Sequence, residues 1–255
     1  MRIVKYFNPN ENWRHYSAGS FKFGTLKGYR ENELKGDRFS DSGEGTITRT
    51  YGNGEGRIND LSIGNIKIDE LVLFSPGQAG SQKQKIFNEN STGLTVTHRF
   101  NCNVFCATFG SYDRDHHLKM LNGHLGRECC YLGNPALTSF AEIDLSKFLS
   151  AIRLWVVRDT IYETIRNEKV EFIRHKHVKY ESRTFLHPLG DAHGASVLTP
   201  ELLEILIFTK PTRYTTEQEL RVALTLAPSN RIHLAEDVFP KSDALKKSII
   251  RMGRL

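Results

Sequence analysis

The sequence predicts an α+β protein whose core is a mixed or antiparallel sheet. Segments with the two-residue alternation of strands outnumber those with helical spacing. Their order is irregular and lacks the strand–helix–strand repeat that builds a parallel sheet. Two long polar stretches carry many glycines and bury little surface, so residues 31–59 read as a long loop or a twisted hairpin and residues 75–93 as a loop.

The elements follow in order. Residues 2–8 read as a short strand. Over residues 19–30, Phe21 and Phe23 alternate with polar residues, and Gly24 and Gly28 flank Thr25-Leu26. That fits an extended piece followed by a turn of helix. Ile63, Ile66, Ile68, Leu71 and Val72 mark one or two strands, and residues 94–100 and 102–109 mark two more. Asp113 is placed to cap a helix reaching Leu125. Residues 139–143 read as a strand, after which Asp144 or Ser146 caps a helix through Ala151. Residues 154–158 read as a strand, 159–167 as a helix and 170–180 as extended. Thr199-Pro200-Glu201 fits a helix start with proline at its first position, although residues 205–208 have strand character. Leu220, Val222, Leu224 and Leu226 alternate as one face of a buried strand. Residues 241–255 read as a basic helix with Leu245, Ile249 and Met252 turned inward. No repeat, low-complexity tract or linker divides the chain, so residues 1–255 are read as a single domain.

Composition narrows the function classes. The chain has 255 residues, 39% hydrophobic and 25% charged, as ordinary globular proteins have. It lacks a run of about 18 apolar residues, so no membrane span or membrane partner is expected. The N-terminal residues lack the features of a signal peptide, which points to a cytoplasmic protein. Cys102, Cys106, Cys129 and Cys130 contain no Cys-x-x-Cys pair, so free thiols are expected rather than a metal site. The net charge of +6 suits an anionic partner such as nucleic acid or a dinucleotide.

Familiar catalytic signatures are missing. No Walker loop, nucleophile elbow or His-Glu-x-x-His occurs, and Gly52-Asn-Gly-Glu-Gly56 lacks the strand-to-helix context of a dinucleotide fingerprint. The informative stretch is Lys210 to Leu226. Alternation places Glu217, Glu219 and Arg221 on one face at the mouth of a buried strand. Arg30, after Tyr29, is suited to clamp a phosphate, and Phe21, Phe23 and Tyr29 are candidates to stack on a ligand ring. Thr108-Phe-Gly-Ser111 brings two hydroxyls to a strand end. His175, His177, His187 and His193 have no matched spacing and read as surface or loop residues.

These pieces resemble a bacterial family found among mobile elements and phage-defence loci. The matching motifs are Phe-x-Phe-Gly-Thr-Leu-x-x-Tyr-Arg from Phe21 to Arg30, Gly36-Asp37 with Glu44-Gly45, Ala107 to Ser111, and Lys-Pro-x-x-Tyr-x-x-Glu-x-Glu-x-Arg from Lys210 to Arg221. The layout is similar to ADP-ribosyltransferases, which implies an ADP-ribosyltransferase-like fold with peripheral helices and long loops. In that fold a first-strand residue holds the nicotinamide ribose, a middle strand supplies a hydroxyl or aromatic, and a late strand supplies the catalytic glutamate. The resemblance therefore implies NAD as substrate and Glu219 as the catalytic carboxylate. Glu217 would act on the acceptor and Arg30 on the pyrophosphate. Tyr6 or Tyr29 would pack the nicotinamide, with Phe23, Thr25, Thr108 and Ser111 completing the NAD site. Lys5 and Tyr6 stand where the family's first strand has His or Arg. The implied role is a toxin or anti-phage effector modifying nucleic acid, RNA favoured, with an antitoxin protein as partner. Two other readings are a nucleic-acid-binding module without catalysis and a metal-dependent nuclease built on Glu217, Glu219 and Asp37. Residues 36–59 are expected to form a lid.

Overall fold

The computed structural model describes residues 1–29, 45–51, 62–63, 66–67, 71–73, 82–84, 94–125, 130–131, 133–158, 173–187, 200–225 and 237–255. The expected lid over 36–59 falls mostly outside these, as do the expected helix over 159–167, Arg30 and Asp37.

The architecture is α+β around a mostly antiparallel sheet. Six strands form its backbone: β1 (Arg2–Phe7), β2 (Asn103–Phe109), β3 (Ser139–Asp144), β4 (Ile173–His177), β5 (Glu219–Leu224) and β6 (Ile249–Arg254). Their order is β4-β5-β2-β1-β3-β6, and every neighbouring pair is antiparallel. The two-residue strand Gly24–Thr25 also pairs with β2, at Val104 and Asn103. β1 pairs with β2 only at Thr108 and Phe109. One edge of β2 is therefore shared by two strands, with a gap between them. Lys5 bridges that gap, its Nζ donating to the Cys106 carbonyl at 2.7 Å.

Alternation sorts the sheet into two faces. Ile3, Phe7, Phe105, Ala141, Ile143, Leu220 and Val222 pack on one side against Tyr16 of the helix α1 (Pro9–Ser17), the helix α3 (Leu145–Arg158), Phe21 and Phe23. The centre is aromatic: Phe148 of α3 lies 5.0 Å from both Phe21 and Phe105, and stacks on Phe23. The other face carries Val104 and Ala223 under the helix α4 (Pro200–Phe208). It also carries Val4, Tyr6 and Phe140 beside Met120 of the helix α2 (Arg114–Asn122). The space between these two apolar clusters is where the candidate site lies. Glu142 of β3, fully buried, ties three strands by accepting from Arg2 of β1 at 2.8 Å and Arg251 of β6 at 2.6 Å.

Two expectations about elements are corrected. Residues 154–158 are not a strand but the last turns of α3. Phe148, Leu149, Ile152 and Val156 keep one helical face buried, and the β-branched residues at the end are carried by that packing. The helix starts after Asp144, whose Oδ1 accepts from the Lys147 N–H at 3.2 Å. The tail is not a helix either. Asp243–Lys246 makes one short turn, and Ile249–Arg254 is the edge strand β6. Ile249 and Met252 share a face three residues apart because the β3–β6 register shifts at Glu142/Ile143. A bulge thus produced the spacing that imitates a helix. Among the described residues no helix is long and apolar enough to cross a membrane.

Phe148→Ala is expected to cost about 3–5 kcal/mol through the cavity it opens. Chemical denaturation followed by circular dichroism checks this.

Candidate active site

The site is built where β5 begins. Before it, Thr212–Glu217 forms a 3-10 helix, and Gln218 turns the chain with the left-handed angles φ 44° and ψ 45°. Glu217 is therefore not on the strand, as simple alternation required. It ends the helical turn, and Gln218 swings the chain so that both glutamates face the same space. The end of β2 holds this turn in place. Thr108 Oγ1 donates to the Glu217 carbonyl at 3.0 Å, and the Phe109 N–H to the Gln218 carbonyl at 3.0 Å. From the other side the Glu219 N–H donates to the Tyr180 hydroxyl at 2.7 Å, and the Val178 N–H to the Glu219 carbonyl at 2.9 Å.

Two cations neutralise the carboxylates. Lys210 Nζ lies 2.6 Å from Glu217 Oε2 and 2.7 Å from Glu219 Oε2. It also sits 4.9 Å from the centre of the Tyr214 ring. Arg221 Nε lies 2.5 Å from Glu219 Oε1, and its Nη1 donates to the Ile207 carbonyl. All four side chains are buried. Such charges are stable out of water only when each meets an opposite charge with good geometry. Removing Lys210 would leave the Glu217 carboxyl without a cation among the described residues.

The two carboxyls are driven apart. Burial pushes the Glu217 carboxyl up to about 8, with the nearby Glu219 anion adding to the effect and Lys210 opposing it. Burial works on Glu219 too, but Arg221 and Lys210 together outweigh it and hold that carboxyl well below its ordinary value. Glu219, with a cation at each oxygen, is the stronger acid of the two, and Glu217, with one shared ammonium, the weaker. Cys106 is no nucleophile here: burial and the Glu219 charge push its thiol up to about 12.

These groups line a cavity of about 190 Å³, with Tyr6, Tyr29 and Thr108 on its walls. It shares Lys5, Tyr6 and Tyr29 with an adjoining groove of about 500 Å³ running past Thr25 and Asn8. Tyr6 is fixed by ring contact with His117, 4.5 Å between centres. Among the described residues no group of three or more His, Cys, Asp or Glu side chains is placed to hold a metal ion.

Of the sequence-derived candidates, Glu217, Glu219, Tyr6, Tyr29 and Thr108 come together at the cavity. Thr25 lines only the groove, where its Oγ1 accepts from the Gly28 N–H at 2.8 Å and caps the helical turn. Phe23 is corrected: it is fully buried in the aromatic centre on the opposite face, together with Phe21 two residues before it. Ser111 is also corrected: it is exposed past the end of β2 and lines neither space, because Gly110 at φ 112° turns the chain away. Arg30 lies outside the described residues. Lys210 and Lys5 were missed as site residues. No periodicity links them to the glutamates; the available signal was that two neighbouring carboxylates at a buried strand mouth require cations.

Comparison of the chain with protein-family models, with curated proteins and with solved structures finds no match.

The raised Glu217 carboxyl has a linked effect on stability. Its protonated form favours the folded state, so this contribution is fully present below the ordinary carboxyl value. It is lost as pH rises through about 8. Thermal melts are expected to show Tm of the unaltered protein falling between pH 6 and pH 9, and a smaller fall in Glu217→Gln.

Proposed function

We propose that this chain is an NAD-dependent ADP-ribosyltransferase with an ADP-ribosyltransferase-like fold. The observation that carries the reading is the ion-paired anion Glu219 at the mouth of β5. It opens onto one cavity together with Thr108 of β2 and Lys5 and Tyr6 of β1. The late, middle and first strands that the resemblance calls for are immediate neighbours in the sheet. The cavity and the adjoining groove together offer room for a dinucleotide.

The chemistry follows from the charges. The bond between the nicotinamide nitrogen and the ribose C1′ breaks, and nicotinamide leaves as a neutral molecule with the bonding pair. Positive charge grows on the ribose, and the Glu219 carboxylate stabilises it. Tyr6 and Tyr29 flank the nicotinamide. The acceptor's nucleophilic atom bonds to C1′ while its proton passes to the Glu217 carboxylate. Lys5, from the first strand, offers a cation toward the ribose or pyrophosphate.

Nucleic acid is the acceptor we favour, with RNA ahead of DNA. The net charge of +6 supports an anionic partner. In this reading the protein is a cytoplasmic toxin or anti-phage effector, restrained by an antitoxin protein. The nuclease reading is less well supported, because Lys210 and Arg221 already occupy the carboxylates that a metal ion would need. A binding module without catalysis predicts indifference to Glu219.

Incubation with labelled NAD and separate RNA, DNA and protein fractions tests the reading, with released nicotinamide measured in parallel. Glu219→Gln is expected to lower nicotinamide release at least about a hundredfold. Unchanged release would remove Glu219 from the chemistry, and no release or labelling by the unaltered protein would remove the activity. Glu217→Gln is expected to keep NAD cleavage but lose transfer to the acceptor. In the unaltered protein, transfer should rise with pH through about 8, where Glu217 becomes a base.

A further inference from the structure

We propose that Lys210 is the positioning residue of the carboxylate pair, its one ammonium shared between Glu217 and Glu219 and setting how charge divides between them. The proposal rests on the transferase reading above and deepens it.

The geometry is asymmetric in a way that matters. Glu219 has a cation on each oxygen, Arg221 on Oε1 and Lys210 on Oε2. Among the described residues, Glu217 has only the ammonium it shares with Glu219. Two carboxylates this close cannot both ionise against one shared ammonium without mutual repulsion. The shortfall falls on Glu217. Without Lys210, Arg221 would be the remaining cation of the pair, and the two carboxyls would compete for one proton on nearly equal terms.

Lys210 is built into the fold rather than added to its surface. It lies on the two-residue strand Thr209–Lys210, which pairs in parallel with Lys179–Tyr180. Its carbonyl accepts from the Glu181 N–H at 2.9 Å. The Tyr214 ring flanks the ammonium. The backbone that anchors Lys210 thus also supplies Tyr180, whose hydroxyl accepts from the Glu219 N–H. One segment fixes both the cation and the anion.

Among the described residues, the hydroxyls and the thiol facing the pair are uncharged near neutral pH. Burial raises the Tyr29 hydroxyl well above its ordinary value, raises the Tyr180 hydroxyl, and pushes the Cys106 thiol up to about 12. Lys5 points to the Cys106 carbonyl, and Arg221 is committed to Glu219 and the Ile207 carbonyl. Lys210 is the group left to set the balance between the two glutamates.

The test compares the unaltered protein, Lys210→Gln and Lys210→Arg. Nicotinamide release is measured as kcat and KM from pH 4.5 to 9.5. The unaltered protein is expected to show no acid limb above pH 4.5, because Glu219 ionises well below that, and Lys210→Gln to acquire one inside the measured range. The maximal kcat of Lys210→Gln should fall about a hundredfold, with KM for NAD changed less than about threefold. Lys210→Arg is expected to lack the acid limb, as the unaltered protein does. Absence of an acid limb in Lys210→Gln would overturn the proposal. The carboxyl carbon resonances of Glu217 and Glu219, followed by NMR in glutamate-labelled protein, read the same property without turnover. If the unaltered protein releases no nicotinamide, the transferase reading fails, and this titration decides the proposal alone. Glu219 titrating at higher pH in Lys210→Gln supports it, and an unchanged titration overturns it. Should Lys210→Gln not fold, Lys210→Met replaces it in the titration, and the same two outcomes decide.

Discussion

The arrangement depends on charges that have been removed from water. Glu217, Glu219, Lys210 and Arg221 are all buried, and none is tolerable there alone. Much of the surrounding structure can be read as meeting that constraint. The 3-10 turn and left-handed Gln218 bring the carboxylates together. Thr108 and Phe109 hold the turn from β2, and Val178 and Tyr180 hold it from the other side. α4 contributes the Ile207 carbonyl that accepts from Arg221. A purely apolar strand mouth would be simpler to bury. Four ionisable side chains share one small volume here.

Some of this was legible beforehand. β2 and β3 lie where the sequence reading puts strands, and the alternation of Leu220, Val222 and Leu224 is that of β5. The helix after Asp113 was readable from its cap: Oδ1 accepts from the Asp115 N–H at 2.8 Å and the His116 N–H at 3.2 Å. These features rest on interactions within a few residues, which a sequence displays directly. The parts that misled involve distant pairing. Ile249 and Met252 align only because β3 opposes β6 with a bulge. Residues 154–158 look like a strand in isolation and become helical through contact with the sheet.

The site divides along the same line. The nearness of Glu217 and Glu219 in sequence foretold their meeting in space, but by a different route from the one alternation suggested. Lys210 is seven residues from Glu217 and on another element, so its place between the carboxylates is a tertiary fact. Phe23 and Ser111 were chosen as neighbours in motifs. Phe23 went to the face demanded by its own alternation, and Ser111 followed the turn at Gly110.

The gap along β2 has a further consequence. Residues between the two short pairings present backbone groups with no partner strand on that edge among the described residues, which is the condition that lets foreign strands add to a sheet. Here the edge is internal, and Lys5 meets its Cys106 carbonyl with an ammonium instead of a peptide N–H. A lysine on an outer edge discourages pairing by carrying charge; this one stops it by holding the acceptor. The opening beside the site is kept as a slot rather than sealed as a ladder, and the side chain that keeps it open is itself on the cavity wall.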